Sequence, residues 1–300
     1  MNYRHAFHAG NHADVLKHAI LTRILAHLLR KETPFRVVDT HAGIGLYDLR
    51  SEEAGRTGEW RGGIGRMGEP FGPEVEALLG PYRAVLAGVR ARHGADAYPG
   101  SPLIVRETIR PGDRAIAVEL HPADHAALAR LLVTAPNVRA LHLDGWTALG
   151  SLIPPRERRG LVLIDPPFEQ PDELRRLPER LARAVRRWPT GTYQVWYPIK
   201  DLAEVAAMAG EVAALVPGAL RLELLVEPAG GPPRLRGSGL IVVNPPWTLR
   251  DEAAVLLPAL AARLGVDGAG RARIEGGEVD KVGGVGLTGG PGRRSTRGSA

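Results

Sequence analysis

Short apolar runs alternate with amphipathic stretches along most of the chain. Val15, Leu16, Ala19, Ile20, Ile24 and Leu28 recur at helical spacing, which predicts a helix over residues 12–30. Asn11 stands at the N-cap position, and Asp14, three places on, can reach back to its amide. Residues 35–39 read as a short buried strand, followed by the glycine-bearing turn Thr40-His41-Ala42-Gly43-Ile44-Gly45. Strand patterns return at 114–119, 138–143, 161–164, 192–196, 220–226 and 240–243. Helical patterns separate them at 102–109, 121–132, 172–187 and 202–214. Strands alternating with helices predict an α/β fold, a doubly wound and mostly parallel sheet.

Two stretches depart from the alternation. Residues 46–100 hold many glycines and charges, one helical pattern over 74–92 and no convincing strand, and so read as a small helical insertion after the first strand. From residue 265 onward Gly, Arg and small polar residues dominate without periodicity, and such a segment buries too little apolar surface to offset its ordering entropy. The expected organisation is one domain over 1–264, with the insertion at 46–100, and a disordered tail over 265–300.

Composition narrows the function classes. The 300 residues include no cysteine, which excludes disulfides, thiolate metal sites and a cysteine nucleophile, and fits a reducing cytosol. Every apolar run is far shorter than a membrane span, and the N-terminus lacks the apolar core of an export signal, so a cytoplasmic protein with no membrane partner is expected. The net charge of +6 favours an anionic partner such as nucleic acid, although part of that excess lies in the tail.

In doubly wound sheets, ligands bind beyond the carboxyl ends of the strands. Asp39, Gly43, Glu119, Asp144 and Asp165 each close or follow a predicted strand. An acid in the position of Glu119 can accept both ribose hydroxyls of a nucleoside. In Asp144-Gly145-Trp146 the acid can accept from an adenine amine while the glycine leaves room for the ring, although a plain turn would look the same. Asp165-Pro166-Pro167-Phe168 is more specific. An exocyclic adenine amine is a poor nucleophile because its lone pair is delocalised into the ring. A carboxylate (Asp165) and a main-chain carbonyl (Pro166) that both accept from N6–H localise that pair, the prolines hold the turn rigid, and Phe168 offers a flat face to an extruded base. Asn244-Pro245-Pro246-Trp247 also follows an apolar strand and matches a looser form of this pattern. Asp165 is preferred because it follows the acidic strand ends in order, whereas Asn244 comes after the whole set. The histidines His5, His8, His12 and His18 are read as RNA or cofactor contacts rather than metal ligands, since methyl transfer from a sulfonium needs no metal.

The blocks Tyr3-Arg4-His5-Ala6-Phe7-His8-Ala9-Gly10-Asn11-His12-Ala13-Asp14-Val15-Leu16-Lys17-His18, Asp39-Thr40-His41-Ala42-Gly43, Tyr98-Pro99-Gly100-Ser101-Pro102, Glu119-Leu120-His121-Pro122, Asp165-Pro166-Pro167-Phe168 and Asn244-Pro245-Pro246-Trp247 resemble the bacterial large-subunit ribosomal RNA adenine-N6 methyltransferases of the J type. The resemblance runs from residue 2 to about 264. It implies a Rossmann-like fold, S-adenosyl-L-methionine as cofactor, and an adenine of 23S ribosomal RNA as substrate, with a monomer acting on it. It implies Asp165 as the catalytic acceptor. His18, His41, Ser101, Glu119, Asp144, Gly145 and Lys17 are then cofactor contacts, and Tyr3 is a substrate contact beside Pro166 and Phe168. Phe168 stands where the family often has tyrosine, so a phenolic hydroxyl is missing there. The alternative within the same chemistry is a DNA adenine-N6 methyltransferase, against which the lack of a separate target-recognition domain argues.

Overall fold

The computed structural model describes residues 4–170, 172–228 and 234–277. Helix α1 (His12–Leu28) leads into β1 (Arg36–Asp39), and β2 (Leu46–Asp48), α2 (Glu52–Thr57), α3 (Pro73–His93) and β3 (Ala97–Pro99) follow. Then come α4 (Ser101–Thr108), β4 (Arg114–Glu119), α5 (Pro122–Leu132), β5 (Val138–His142), α6 (Gly145–Ser151) and β6 (Gly160–Ile164). The chain continues through α7 (Glu173–Arg187), β7 (Thr192–Ile199), α8 (Leu202–Leu215), β8 (Leu220–Leu225), β9 (Gly237–Val243), α9 (Leu249–Leu264) and β10 (Arg271–Gly276). Among the described residues, no helix is long and apolar enough to cross a membrane.

Eight strands form one sheet in the order β10-β8-β9-β7-β6-β1-β4-β5. From β7 to β5 all neighbours are parallel, and β9, β8 and β10 pair antiparallel. The sheet is covered on both faces, as its strand patterns require: successive residues of β6 go to different cores. Leu161 and Leu163 join the core built with α1 and α9, while Val162 and Ile164 join the core built with α7 and α8. The chain order reverses beside β1, with β4 on one side and β6 on the other, so the carboxyl ends of these strands flank a crevice.

Three expectations are corrected. The stretch 46–100 is not free of strands, because β2 and β3 pair antiparallel with Tyr47 opposite Tyr98. Disorder does not begin at 265: β10 pairs with β8 over its full length, and Arg273 and Glu275 lie at the flank of the Glu223–Arg221 cluster. The remaining tail, from 278, lies outside the described residues. Helices α6 and α9 were also missing from the sequence reading. In α9 the buried residues Leu249, Ala253, Leu256, Leu257, Leu260, Ala261 and Leu264 trace a helical stripe, which Pro258 obscures.

Candidate active site

The carboxyl ends of β1, β4 and β6 and the first half of α1 surround a cavity of about 400 Å³. Lys17, His18, His41, Ser101, Glu119, Asp144, Gly145 and Asp165 all line it, so the expected cofactor and catalytic positions come together from six segments. Pro167 lines it too, while Pro166 is buried just behind. Phe168 is not among the lining residues; it adopts φ 49° and packs edge-on against Trp196 at 5.5 Å. Tyr3 lies outside the described residues.

The acids differ in how they are held. Glu119 accepts the amides of Gly43 at 2.9 Å and His121 at 2.7 Å, one on each oxygen, which fixes the carboxylate plane and leaves outer lone pairs for hydroxyl donors. Asp144 caps α6 by accepting the amide of Thr147 at 2.8 Å. This corrects the plain-turn alternative for Asp144-Gly145-Trp146: the segment opens a helix. A Cβ at Gly145 would stand 2.3 Å from the Thr40 carbonyl and 2.6 Å from His41 Nε2, so only glycine lets α6 approach the β1 turn this closely. Asp39 receives the Ser101 hydroxyl at 2.6 Å, yet burial, followed by the nearby charge of Asp165, pushes its carboxyl up to about 7.

Two histidines have their ring nitrogens assigned by their neighbours. The Thr40 hydroxyl donates to the Leu163 carbonyl at 2.8 Å and so accepts from His41 Nδ1 at 2.8 Å, which leaves His41 Nε2 as the bare acceptor. His18 Nδ1 meets the Tyr98 hydroxyl at 2.9 Å, and Tyr98 in turn meets the Tyr82 hydroxyl at 2.9 Å. Desolvation lowers both imidazoles to about 4, so both rings are neutral at physiological pH. Tyr98 and Tyr82 both belong to the stretch 46–100, which thus reaches the cavity residue His18 directly through Tyr98.

Asp165 is reached from α1. Lys17 Nζ lies 2.6 Å from Asp165 Oδ2 and 3.0 Å from Asp14 Oδ1, and its ammonium sits 5.1 Å from the Trp196 ring centre. Asp14 also accepts the Gly10 amide at 2.8 Å and meets His5 Nε2 at 3.0 Å. Sequence reasoning gave Asp14 the wrong task. Asn11 does cap α1, accepting from Ala13 and Asp14, but the Asp14 side chain turns inward to Lys17 instead of back to the Asn11 amide. The signal available was spacing: Asp14, Lys17 and His18 share one face of a helix at i, i+3 and i+4. The expectation for the other histidines is corrected in part. His8 is engaged by Glu59 at 3.0 Å and His12 is packed near Gly237, so neither faces the cavity. Trp146, Arg4 and Asp124 line the cavity and were not foreseen.

A family model described as "Ribosomal RNA large subunit methyltransferase D, RlmJ" matches residues 32–276. The chain belongs to this family. A Haemophilus influenzae protein named "Ribosomal RNA large subunit methyltransferase J" is 39% identical over 281 residues, covering 92% of this chain and 98% of the relative. An Escherichia coli K12 protein of the same name is 38% identical over 277 residues, covering 91% and 98%. A crystal structure of a Legionella pneumophila protein superposes with a TM-score of 0.80 at 33% identity, covering 90% of this chain and 98% of that one. The Rossmann-like methyltransferase fold is that of the present chain, shared with the Legionella protein over nearly its whole length.

Proposed function

We propose that the chain methylates the exocyclic N6 amine of an adenine in 23S ribosomal RNA with S-adenosyl-L-methionine as donor. One observation carries the reading: Asp165, at the head of a rigid Pro-Pro turn, faces the same cavity as Glu119, Asp144 and the glycine approach at Gly145. The names of the relatives support large-subunit rRNA as the substrate class.

The residues present fit the cofactor. Gly145 lines the cavity with no side chain to narrow it, and the Glu119 carboxylate is pre-oriented toward hydroxyl donors. Glu119 would hold a ribose and Asp144 an adenine amine. His18, His41 and Ser101 would hold the remaining polar groups, with Lys17 bordering them. When bound, the cofactor supplies an electrophilic methyl on a sulfonium, and its transfer leaves a neutral thioether.

The chain's own residues do the rest. Lys17 holds Asp165 Oδ2, which leaves Oδ1 to accept one N6–H, and the Pro166 carbonyl accepts the other. The nitrogen lone pair is then aimed out of the ring plane at the methyl carbon. The surplus N6 proton would then leave along the Asp165 hydrogen bond. Phe168, half-buried beside Trp196, is the ring offered to the extruded base. Such alignment is worth orders of magnitude in rate, because both reactants are held in one geometry.

The test is methyl transfer from labelled S-adenosyl-L-methionine to 23S rRNA lacking its own modifications, with duplex DNA in parallel and nucleoside analysis of the product. N6-methyladenosine in rRNA is the expected product. Label in DNA and none in rRNA would overturn the substrate, and a methylated base other than N6-methyladenosine would overturn the chemistry.

A further inference from the structure

We infer that the exposed face of α7 is a track for the phosphate backbone of the RNA arm that carries the target adenine. This rests on the reading of rRNA as substrate. Arg176, Arg180, Arg183 and Arg187 recur at i, i+4, i+7 and i+11, which places them in one stripe along the helix, about a quarter turn round from its buried residues Leu177, Leu181 and Ala184. At 1.5 Å per residue the stripe extends for about 16 Å.

Three observations set it apart from an ordinary solvated face. The first is continuity with the cavity. Glu173, the first residue of α7, lines the cavity, and the Arg180 guanidinium lies 4.3 Å from the ring centre of Trp146, another lining residue. The stripe therefore begins at the mouth and leads away from it. The second is how little of the stripe's charge is offset. Several arginines elsewhere are neutralised in place, as in Arg23–Glu252, Arg83–Glu76 and Arg110–Asp113. Among the described residues Arg183 meets no carboxylate, and Arg176 pairs with one alone, Asp172 at the helix N-cap. The third is contrast with the neighbour. Helix α8 packs beside α7 on the same face of the sheet yet contains Glu204 and Glu211 and no Lys or Arg. General basicity of the sequence would not load one of two adjacent helices and spare the other.

At the far end, Arg187 Nε donates to the Ile153 carbonyl at 2.6 Å, which ties the stripe to the loop bearing the exposed Arg156. Planar guanidinium groups in a row suit the regular spacing of phosphates, and such contacts set register and affinity without reading sequence.

The experiment compares wild type with Arg176→Gln/Arg183→Gln and with a charge-matched control, Arg130→Gln/Arg139→Gln, on the exposed surface of α5 and β5. Circular dichroism verifies the fold of each. The readouts are KM for unmodified 23S rRNA as a function of salt, kcat at saturating rRNA, and S-adenosyl-L-methionine affinity by calorimetry. The α7 double variant is expected to raise KM for rRNA roughly tenfold at low salt and to flatten the slope of log KM against log salt by about 1.5, the share of two lost phosphate contacts. Its kcat and cofactor affinity stay at the wild-type values. Equal KM and slope for the two double variants overturn the track while leaving the substrate reading intact. A raised cofactor dissociation constant in the α7 variant also overturns it, since the helix would then act through Trp146. Failure of the wild type to methylate or bind rRNA overturns the underlying reading itself.

Discussion

Two proline-proline turns follow apolar strands in this chain, and they stand at opposite edges of one sheet. Asp165-Pro166-Pro167-Phe168 leaves β6, which runs parallel to β1, and so opens onto the cavity. Asn244-Pro245-Pro246-Trp247 leaves β9, which runs antiparallel to β7, with Val243 opposite Tyr193 near the start of that strand. There Asn244, at φ 48°, donates to the carbonyls of Pro189 at 2.8 Å and Gly191 at 2.7 Å. The same tetrapeptide pattern lines the cavity at one edge and is a clasp on the loop before β7 at the other. Strand direction, not local sequence, makes the difference.

The buried acids repeat the lesson. Asp39, at the carboxyl end of β1, has one hydroxyl donor at 2.6 Å and an amide contact at 3.4 Å, and burial pushes it up to about 7. Asp113, just before β4 at the other edge, is equally buried. It accepts the amides of Phe35 and Arg110 as well as the Arg110 guanidinium, and these donors overcome desolvation and hold its carboxyl below the usual range. The same kind of buried carboxyl is thus left short of donors beside the cavity and amply supplied at the opposite edge.

Asp165→Ala is the substitution that should separate the two turns most widely. Turnover is expected to fall by roughly 10³-fold or more with cofactor affinity retained; normal methylation by that variant would remove Asp165 from the reaction. Gly145→Ala should weaken S-adenosyl-L-methionine binding by roughly 10- to 100-fold, because the added methyl overlaps main chain that cannot give way; an unchanged calorimetric affinity would refute the close-approach argument. Tyr98→Phe removes the hydroxyl that engages His18 Nδ1. A several-fold rise in the cofactor KM with kcat nearly unchanged is the expected result, and a loss of kcat alone would contradict a positioning role. Asn244→Ala should keep turnover within about twofold of wild type while costing about 1–3 kcal/mol of stability; lost turnover in a folded Asn244→Ala protein would break the contrast between the turns.

The paired acids give opposite pH signatures. The folded state holds a proton on Asp39 between its unfolded value near 4 and its folded value of about 7, so this stabilisation fades as pH rises through that window. Asp39→Asn should therefore match wild type in thermal stability below pH 4 and exceed it increasingly as pH rises to 7. Asp113 is lowered, so its contribution is present above its unfolded value and is lost as pH falls below it. Asp113→Asn should lose stability at pH 7 and converge with wild type in acid. Melting curves of both variants from pH 3 to 8 would test this, and parallel curves for the two would contradict the assignment.

Much of this architecture was legible because the signals were local. The strands β1, β4, β5 and β6 and the acids that close them read directly from apolar runs and the residues after them. The reversal of β9 did not, since strand direction is set by which neighbour a strand finds and not by its own sequence. Asp14 was misread for a related reason: its pairing with Lys17 and His5 depends on a side chain turning inward across a helix face, whereas the N-cap pattern suggested a purely local bond. Asp39 was seen as a strand end, but its altered acidity comes from burial and from Asp165, 126 positions away in the sequence.

Strand β10 has a consequence for colloidal behaviour. Without it, β8 would end the sheet with an open row of main-chain donors and acceptors, flanked by the apolar side chains of Leu220, Leu222 and Leu224, a surface on which another copy could dock strand to strand. The strand that covers it carries Arg271, Arg273 and Glu275 on an exposed ribbon, so the new edge repels the like-charged edge of a second molecule. A chain shortened after Leu264 would accordingly be expected to self-associate at concentrations where the full chain stays dispersed.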